Sequence, residues 1–190
     1  MICYAMCGSF CTLMQSFEIL EKMSKSGLDF LPVMSEKTYS TDTRFGKAVE
    51  YVSKLENICG KTVIHTVQDA EPIGPKLHPD AMIIAPCTGN TLAKLANGIT
   101  DSSVTMAAKA HLRNNNPLVI ALATNDALSA NFVNIGKLLA RKNIYFVPLI
   151  QDDPENKPSS LIANFSLIPQ TLEMAMNGKQ ITPLFYGNYT

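Results

Sequence analysis

Apolar positions in this chain fall into short, nearly continuous runs, separated by stretches in which they recur at helical spacing. MICYAMC (1–7), LDFLPVM (28–34), TVIHTV (62–67), AMIIAP (81–86), PLVIALAT (117–124) and IYFVPLI (144–150) read as six strands. Unbroken hydrophobicity marks strands buried on both faces, whereas a half-wet sheet alternates. Leu13, Phe17 and Leu20 space one helical face, closed by Gly27. Phe45, Val49, Val52 and Leu55 space a second, ended near Gly60, and Leu92, Leu95, Ala96 and Ile99 a third. Thr100 or Asp101 then caps a helix carrying Val104, Ala107, Ala108 and His111. Phe132 to Arg141 forms another, and Leu161, Phe165, Ile168, Leu172 and Ala175 line a last helix with a kink expected at Pro169. SEKTYSTDT (35–43), QDAEPIGPKLHPD (68–80), TNDALSAN (124–131) and QDDPENKPSS (151–160) read as loops. Pro32 puts the second strand at a strand end or sheet margin.

This alternation predicts an α/β fold: a three-layer α/β/α, doubly wound parallel sheet of about six strands. The 190 residues suit one domain, 1–190, with a C-terminal helix and tail from about 160. Ligands of such folds bind beyond the carboxyl ends of the strands, near the reversal of strand order. That selects CGSFC (7–11), SEKTYST (35–41), PCTGNT (86–91) and TNDALSAN.

Sixteen basic and sixteen acidic residues give no net charge, so nothing points to nucleic acid or a membrane surface. No apolar run reaches the roughly 20 residues of a membrane span, and no signal-peptide pattern opens the chain. The expected location is the cytoplasm. Cys3, Cys7, Cys11, Cys59 and Cys87 are odd in number and lack C-x-x-C spacing, which argues for reduced thiols over disulfides or a metal site.

Gly8 permits a tight turn, and the Ser9 hydroxyl beside free helix N–H groups suits a phosphate. Neither a G-x-G-x-x-G nor a G-x-x-x-x-G-K-[ST] run is present. Ser35 either extends that cradle or caps the next helix. Glu36 stands where a dinucleotide enzyme keeps its ribose-binding acid, and Arg44 is a candidate anion contact. Pro86 stiffens the fourth strand's exit, Gly89 lets backbone approach a planar ligand, and Asn90 is a donor and acceptor or else a helix cap. Lys109 and Arg113 share a helical face, as a carboxylate site or as a solvated basic stripe.

Gly8-Ser9, Ser35 and PCTGNTLAKLANGITD (86–101) together resemble the flavoprotein family that includes cysteine decarboxylases and flavin prenyltransferases. The resemblance implies a Rossmann-like flavoprotein fold and FMN as cofactor. It implies Gly8, Ser9 and Ser35 as phosphate and ribityl contacts, with Pro86, Thr88 and Asn90, beside Gly89, around the ring. It also implies a homo-oligomer, a trimer or dodecamer. The chain departs from the decarboxylases in having no His in RFGKAVEYVSKLENIC (44–59) and ATNDALSANF (123–132) in place of their P-x-M-N-x-x-M-W clamp. STDTRFG, AEPIGPKL, ATNDALSAN and QDDPENKPSSL are similar to one branch of the family, from endospore-forming bacteria. That branch implies oxidation of a dihydropyridine dicarboxylate to an aromatic one, in the mother-cell cytoplasm. It also implies a partner that resembles an NAD(P)-binding dehydrogenase. Asn90, Asn125, Lys109 and Arg113 are then the expected substrate and catalytic positions. Two alternatives stand: a non-catalytic scaffold for that partner, suggested by Cys87 and Gly89, and an FMN-dependent decarboxylase.

Overall fold

A computed structural model describes residues 1–186. Five parallel strands form the centre of one sheet: β1 (Ile2–Met6), β2 (Phe30–Met34), β3 (Ala81–Cys87), β4 (Leu118–Thr124) and β5 (Ile144–Phe146), in the order β2-β1-β3-β4-β5. Every residue of β1, β2 and β3 is buried, as their uniform hydrophobicity predicts. β6 (Leu149–Ile150), β7 (Leu161–Ala163) and β8 (Phe185–Tyr186) extend the sheet from the carboxyl end of β4, where β7 runs antiparallel.

The helices are α1 (Leu13–Lys25), α2 (Glu36–Ser40), α3 (Ala48–Cys59), α4 (Val67–Ala70), α5 (Gly89–Asn97), α6 (Ser103–Leu112), α7 (Phe132–Leu139) and α8 (Ile168–Met176). α3, α1 and α8 cover one face, and α4, α6, α5 and α7 the other, giving three layers. A central pin joins layer to sheet: buried Tyr4 Oη meets Ser16 Oγ at 2.9 Å, and Ser16 Oγ donates to the Ala85 carbonyl at 2.5 Å.

TVIHTV is not a strand. It makes a single parallel bridge, Ile64 to Val33, at the sheet margin. Ile64 N–H donates to Pro32 O, and Met34 N–H to Ile64 O. In a strand a residue's N–H and C=O point the same way, so the donor Pro32 lacks is on this outer side, where the ladder stops. IYFVPLI also breaks: β5 pairs with β4, and after Val147-Pro148 the chain turns to pair β6 with β7. Leu161 therefore lies in a strand rather than a helix, and Pro169 sits in the first turn of α8, where its missing N–H costs no bond. SEKTYSTDT contains the short helix α2, and α4 runs from Val67, the end of TVIHTV, into QDAEPIGPKLHPD. α3 buries Ala48, Tyr51 and Leu55, whereas Phe45 and Val49 are 47% and 66% exposed. Ser102, with a reciprocal bond from Thr105, caps α6 in place of Thr100 or Asp101. All five cysteines are free.

Candidate functional site

Strand order reverses between β1 and β3, so the chain leaves their carboxyl ends toward opposite layers and a crevice opens between the two turns. A cleft of about 610 Å³ fills that crevice. Gly8, Ser9, Thr88, Gly89, Asn90 and Asn125 line it, together with Arg44, Phe45 and the loop from Asp152 to Ser160. A second lobe of about 620 Å³ shares Gly8, Phe10, Thr88 and Asn90 with it and adds Ser35. These sizes suit small-molecule binding. A groove of about 740 Å³ between α1 and α3 is larger, but it lies on the flank of the molecule, away from the strand ends, and its lining mixes both signs of charge.

The turn after β1 is held by Ser9 N–H donating to Cys7 O at 2.8 Å and Thr12 N–H to Ser9 O at 3.0 Å. Thr12 stands at the N-cap of α1, yet its hydroxyl turns back to Ser9 O and Ser9 Oγ, each at 3.0 Å. The first-turn amides of this 13-residue helix thus have no side-chain cap. An uncapped helix start with a hydroxyl beside it offers the donors that an anion takes.

The turn after β3 is closed by the protein itself. The Ala85–Pro86 bond is cis, and buried Pro86 accepts from Cys7 N–H at 3.1 Å, tying the strand ends together without lining the cleft. Thr88 caps α5, its Oγ1 accepting from Thr91 N–H at 3.2 Å, and Thr91 donates to Cys7 Sγ. The cap is therefore Thr88 and not Asn90. The amides of Asn90 and Asn125 are both exposed and bond to no other side chain or backbone group among the described residues. Gly89, which lines the cleft, is also demanded by its neighbours. A Cβ there would sit 2.5 Å from Thr124 Oγ1, 2.7 Å from Asn131 Nδ2 and 2.9 Å from Asp126 Oδ1. These atoms form one network: Thr124 Oγ1 donates to Asp126 at 2.6 Å, Asn131 Nδ2 to Asp126 at 2.9 Å, and Asn134 Nδ2 to Asn131 at 2.9 Å. The Thr124 hydroxyl, and after it the Asn131 amide, hold the Asp126 carboxyl below the usual aspartate range.

A family model described as Flavoprotein matches residues 1–163. The chain belongs to the flavoprotein family. Within it, the chain is 46% identical over 186 residues to the B subunit of dipicolinate synthase from Bacillus subtilis (strain 168), spanning 98% of this chain and 93% of that one. The crystal structure of the dipicolinate synthase B subunit from Bacillus halodurans superposes with a TM-score of 0.90 at 40% identity, covering 99% and 96% of the two chains. An FMN-dependent cysteine decarboxylase shares the fold at 21% identity, with a TM-score of 0.68 over 92% and 95% of the chains.

Other residues of this flavoprotein fall into place around the cleft. Ser35 accepts from Thr38 N–H and caps α2 while lining the second lobe. Both Glu36 oxygens face Ser103, with its N–H at 2.8 Å and its hydroxyl at 3.5 Å, so the acid is engaged at the start of α6 while it lines the second lobe. The tight Thr43–Gly46 turn presents Arg44, stacked 4.8 Å over the Phe45 ring, to the cleft. Lys109 and Arg113 are not brought there; they line a separate groove with Arg141. Sequence reasoning missed Asp126 and Lys157. Lys157 lies in the polar loop after β6, which folds over the strand ends and puts Lys157 and Asp152 on the cleft wall. Burial pushes the Cys7 thiol up to about 11, and Cys87 well above its ordinary value, so neither is a thiolate at neutral pH. His111 is fully buried, bonded through Nε2 to Pro117 O. Among the described residues no group of three His, Cys, Asp or Glu side chains is placed to hold a metal, and no helix is long and apolar enough to cross a membrane.

Proposed function

We propose that this flavoprotein acts as the B subunit of dipicolinate synthase. In sporulation it takes part in oxidising a dihydrodipicolinate-type intermediate to dipicolinate, pyridine-2,6-dicarboxylate, with FMN held in the cleft. One observation carries the reading: the Gly8-Ser9 turn, the Thr88–Asn90 turn and Asn125 line a single cleft at the reversal of strand order. The 46% identity to the Bacillus subtilis protein supports the role.

The residues fit the group. Ser9 and the uncapped amides of α1 hold the phosphate ester, with Ser35 lining the lobe beside them. The unengaged amides of Asn90 and Asn125 present donors and acceptors to a planar polar edge, with Thr88 on the wall beside them. Arg44 and Lys157 oppose the two carboxylates of the substrate. When bound, FMN supplies a hydride acceptor for the dihydropyridine ring. No His lines the cleft among the described residues, which sets the site apart from a decarboxylase that relies on one. The synthase's NAD(P)-binding A subunit is the partner, in the mother-cell cytoplasm, and this chain assembles as a trimer or dodecamer.

The test is a visible spectrum of purified protein titrated with FMN, joined to dipicolinate formation in the presence of the NAD(P)-binding partner. A saturable flavin spectrum and at least a tenfold loss of rate in Asn90→Ala, about 1.4 kcal/mol, are expected. A colourless protein without FMN affinity sinks the flavin reading. Full activity from Asn90→Ala makes the chain a scaffold.

A further inference from the structure

We infer that the Arg44–Phe45 turn makes the cleft select its substrate by flatness. It takes a planar ring carrying two carboxylates and turns away the puckered, saturated ring of the same outline. The inference rests on the proposed function, which puts a ring dicarboxylate in this cleft, and it adds a selector to that site.

STDTRFG (40–46) lies between α2 and α3, and the fold fixes its turn at several points. Thr43 N–H donates to Gly46 O at 3.0 Å, and Gly46 N–H to Thr43 O at 3.2 Å. Phe45 N–H donates to Thr43 Oγ1 at 3.2 Å. Ala48 N–H donates to Asp42 Oδ1 at 2.8 Å, which ties the turn to the start of α3. Gly46 has a φ of 154°, and a Cβ there would stand 2.5 Å from Tyr51 Oη and 2.8 Å from Tyr51 Cζ. The turn therefore rests on the Tyr51 ring, which is itself buried and stacked on Phe17 at 6.1 Å. Side chains on a tip held this way lose little further freedom when a ligand arrives.

The two side chains on that tip have no part in the core. Phe45 is 47% exposed and lies outside the hydrophobic cluster. Arg44 stands over its ring at 4.8 Å and has no carboxylate within 4.0 Å among the described residues. Both line the cleft. A bare anion would match Arg44 and leave Phe45 wet, whereas a neutral apolar ligand would cover Phe45 and leave the cation unmatched. A ring acid meets both: its carboxylate pairs with the guanidinium while its face lies along Phe45. The flavin of the proposed function carries its charge on the phosphate, at Ser9 and the start of α1, so its ring leaves Arg44 unmatched. Stacking then sets the selection. A flat ring touches an aromatic face across its whole width, and the axial hydrogens of a chair hold it off.

The experiment is isothermal titration of the full chain, as purified, with isophthalate and with cis-cyclohexane-1,3-dicarboxylate. Both are dianions with the same carboxylate placement and no ring nitrogen, and they differ in flatness. The wild type should bind isophthalate roughly fivefold tighter. Phe45→Leu keeps an apolar side chain and removes the flat face, so the preference should shrink below about twofold, and Phe45→Tyr should restore it. Arg44→Gln should weaken both diacids together. FMN affinity and melting temperature should stay at the wild-type values in Phe45→Leu, because the ring lies outside the core. Three results would each overturn the selector: no saturable isophthalate binding, equal affinity for the two diacids, or a preference that survives Phe45→Leu. Dipicolinate formation without any preference between the diacids sinks the selector and leaves the proposed function standing. A preference that depends on Phe45 in a protein that takes no FMN sinks the flavin reading and leaves the selector standing.

Discussion

The turn after β1 and the turn after β3 both lead a buried strand into a helix start at the same cleft, and both contain a glycine, yet they are built in opposite ways. After β3 the protein fills every demand itself. Thr88 caps α5, and Gly89 is pressed against Thr124, Asp126 and Asn131. After β1 the demands are left open. Thr12 turns away from the amides it would cap, and the atoms nearest a Cβ at Gly8 are those of the Phe10 ring, at 3.2 Å, and Thr38 Oγ1, at 3.6 Å. One wall of the cleft is therefore rigid scaffolding that fixes where Asn90 stands, and the other leaves the first amides of α1 without a side-chain partner. Under the proposed function, the first wall positions the cleft and the second touches what enters it.

The sharpest way to break this comparison is Gly89→Ala. The added carbon meets three polar atoms within 2.5–2.9 Å, all tied into one hydrogen-bonded network, so the start of α5 has to move. Overpacking of this kind costs about 2–3 kcal/mol. For a chain this size the melting temperature should fall by roughly 4–12 °C. Calorimetry that shows no loss would mean the β3 turn is as open as the β1 turn.

Asp126→Asn comes next. Thr124 and Asn131 both donate to the carboxylate. An amide offers one accepting oxygen, so one donor loses its partner at a cost of about 1–3 kcal/mol. The pH dependence has a definite sign. Asp126 has a lowered carboxyl pKa in the folded state. Its contribution is complete above the ordinary aspartate pKa of about 3.9 and disappears as pH falls through the lowered value. The stability gap between wild type and variant should therefore be widest at neutral pH and close in acid. A gap that is flat with pH, in denaturant melts at several pH values, would remove the charge from the account.

The positions that line the cleft were far more legible in the sequence than the network that braces them. Gly8, Ser9, Thr88 and Asn90 are small or polar residues at the ends of apolar runs, and strand ends in a doubly wound sheet are where ligands sit. Five of the six runs form the parallel strands because burial on both faces leaves an uninterrupted apolar signature. TVIHTV carries the same signature, but its pairing depends on a donor that Pro32 lacks, a fact held in another strand. Leu161 and Phe165 keep helical spacing while the chain between them finishes β7 and turns at Asn164. Lys109 and Arg113 are on one face as their spacing says, but which groove that face meets is decided by α5 and Arg141. The role of Asp126 consists of contacts to Gly89 across the sheet, and no local pattern announces that.

Ser9→Ala tests the β1 wall. Its hydroxyl accepts from Thr12 at a half-buried turn, so the fold should lose about 1 kcal/mol. FMN affinity should fall by roughly three- to tenfold, the value of one charge-assisted bond of about 1 kcal/mol. Unchanged affinity in a fluorescence titration would assign the phosphate to the helix amides alone.

Gly8→Ala should have the smallest effect, and it is the direct partner of Gly89→Ala. The new carbon meets Phe10 Cε2 at 3.2 Å, Phe10 Cζ at 3.5 Å and Thr38 Oγ1 at 3.6 Å. Phe10 is half-buried, and its ring is the far end of a side chain that can swing toward solvent. Gly8 is also not among the residues with positive φ, so alanine adopts its backbone without strain. Lower entropy in the unfolded chain offsets part of the crowding. A net cost below about 1 kcal/mol is expected, with a small change in flavin affinity as the ring shifts at the mouth of the lobe. If the two alanine variants melt at the same temperature, the asymmetry between the turns is wrong. If Gly8→Ala alone abolishes FMN binding while the fold stands, the β1 backbone itself presses against the ligand, and that wall is tighter than its open amides suggest.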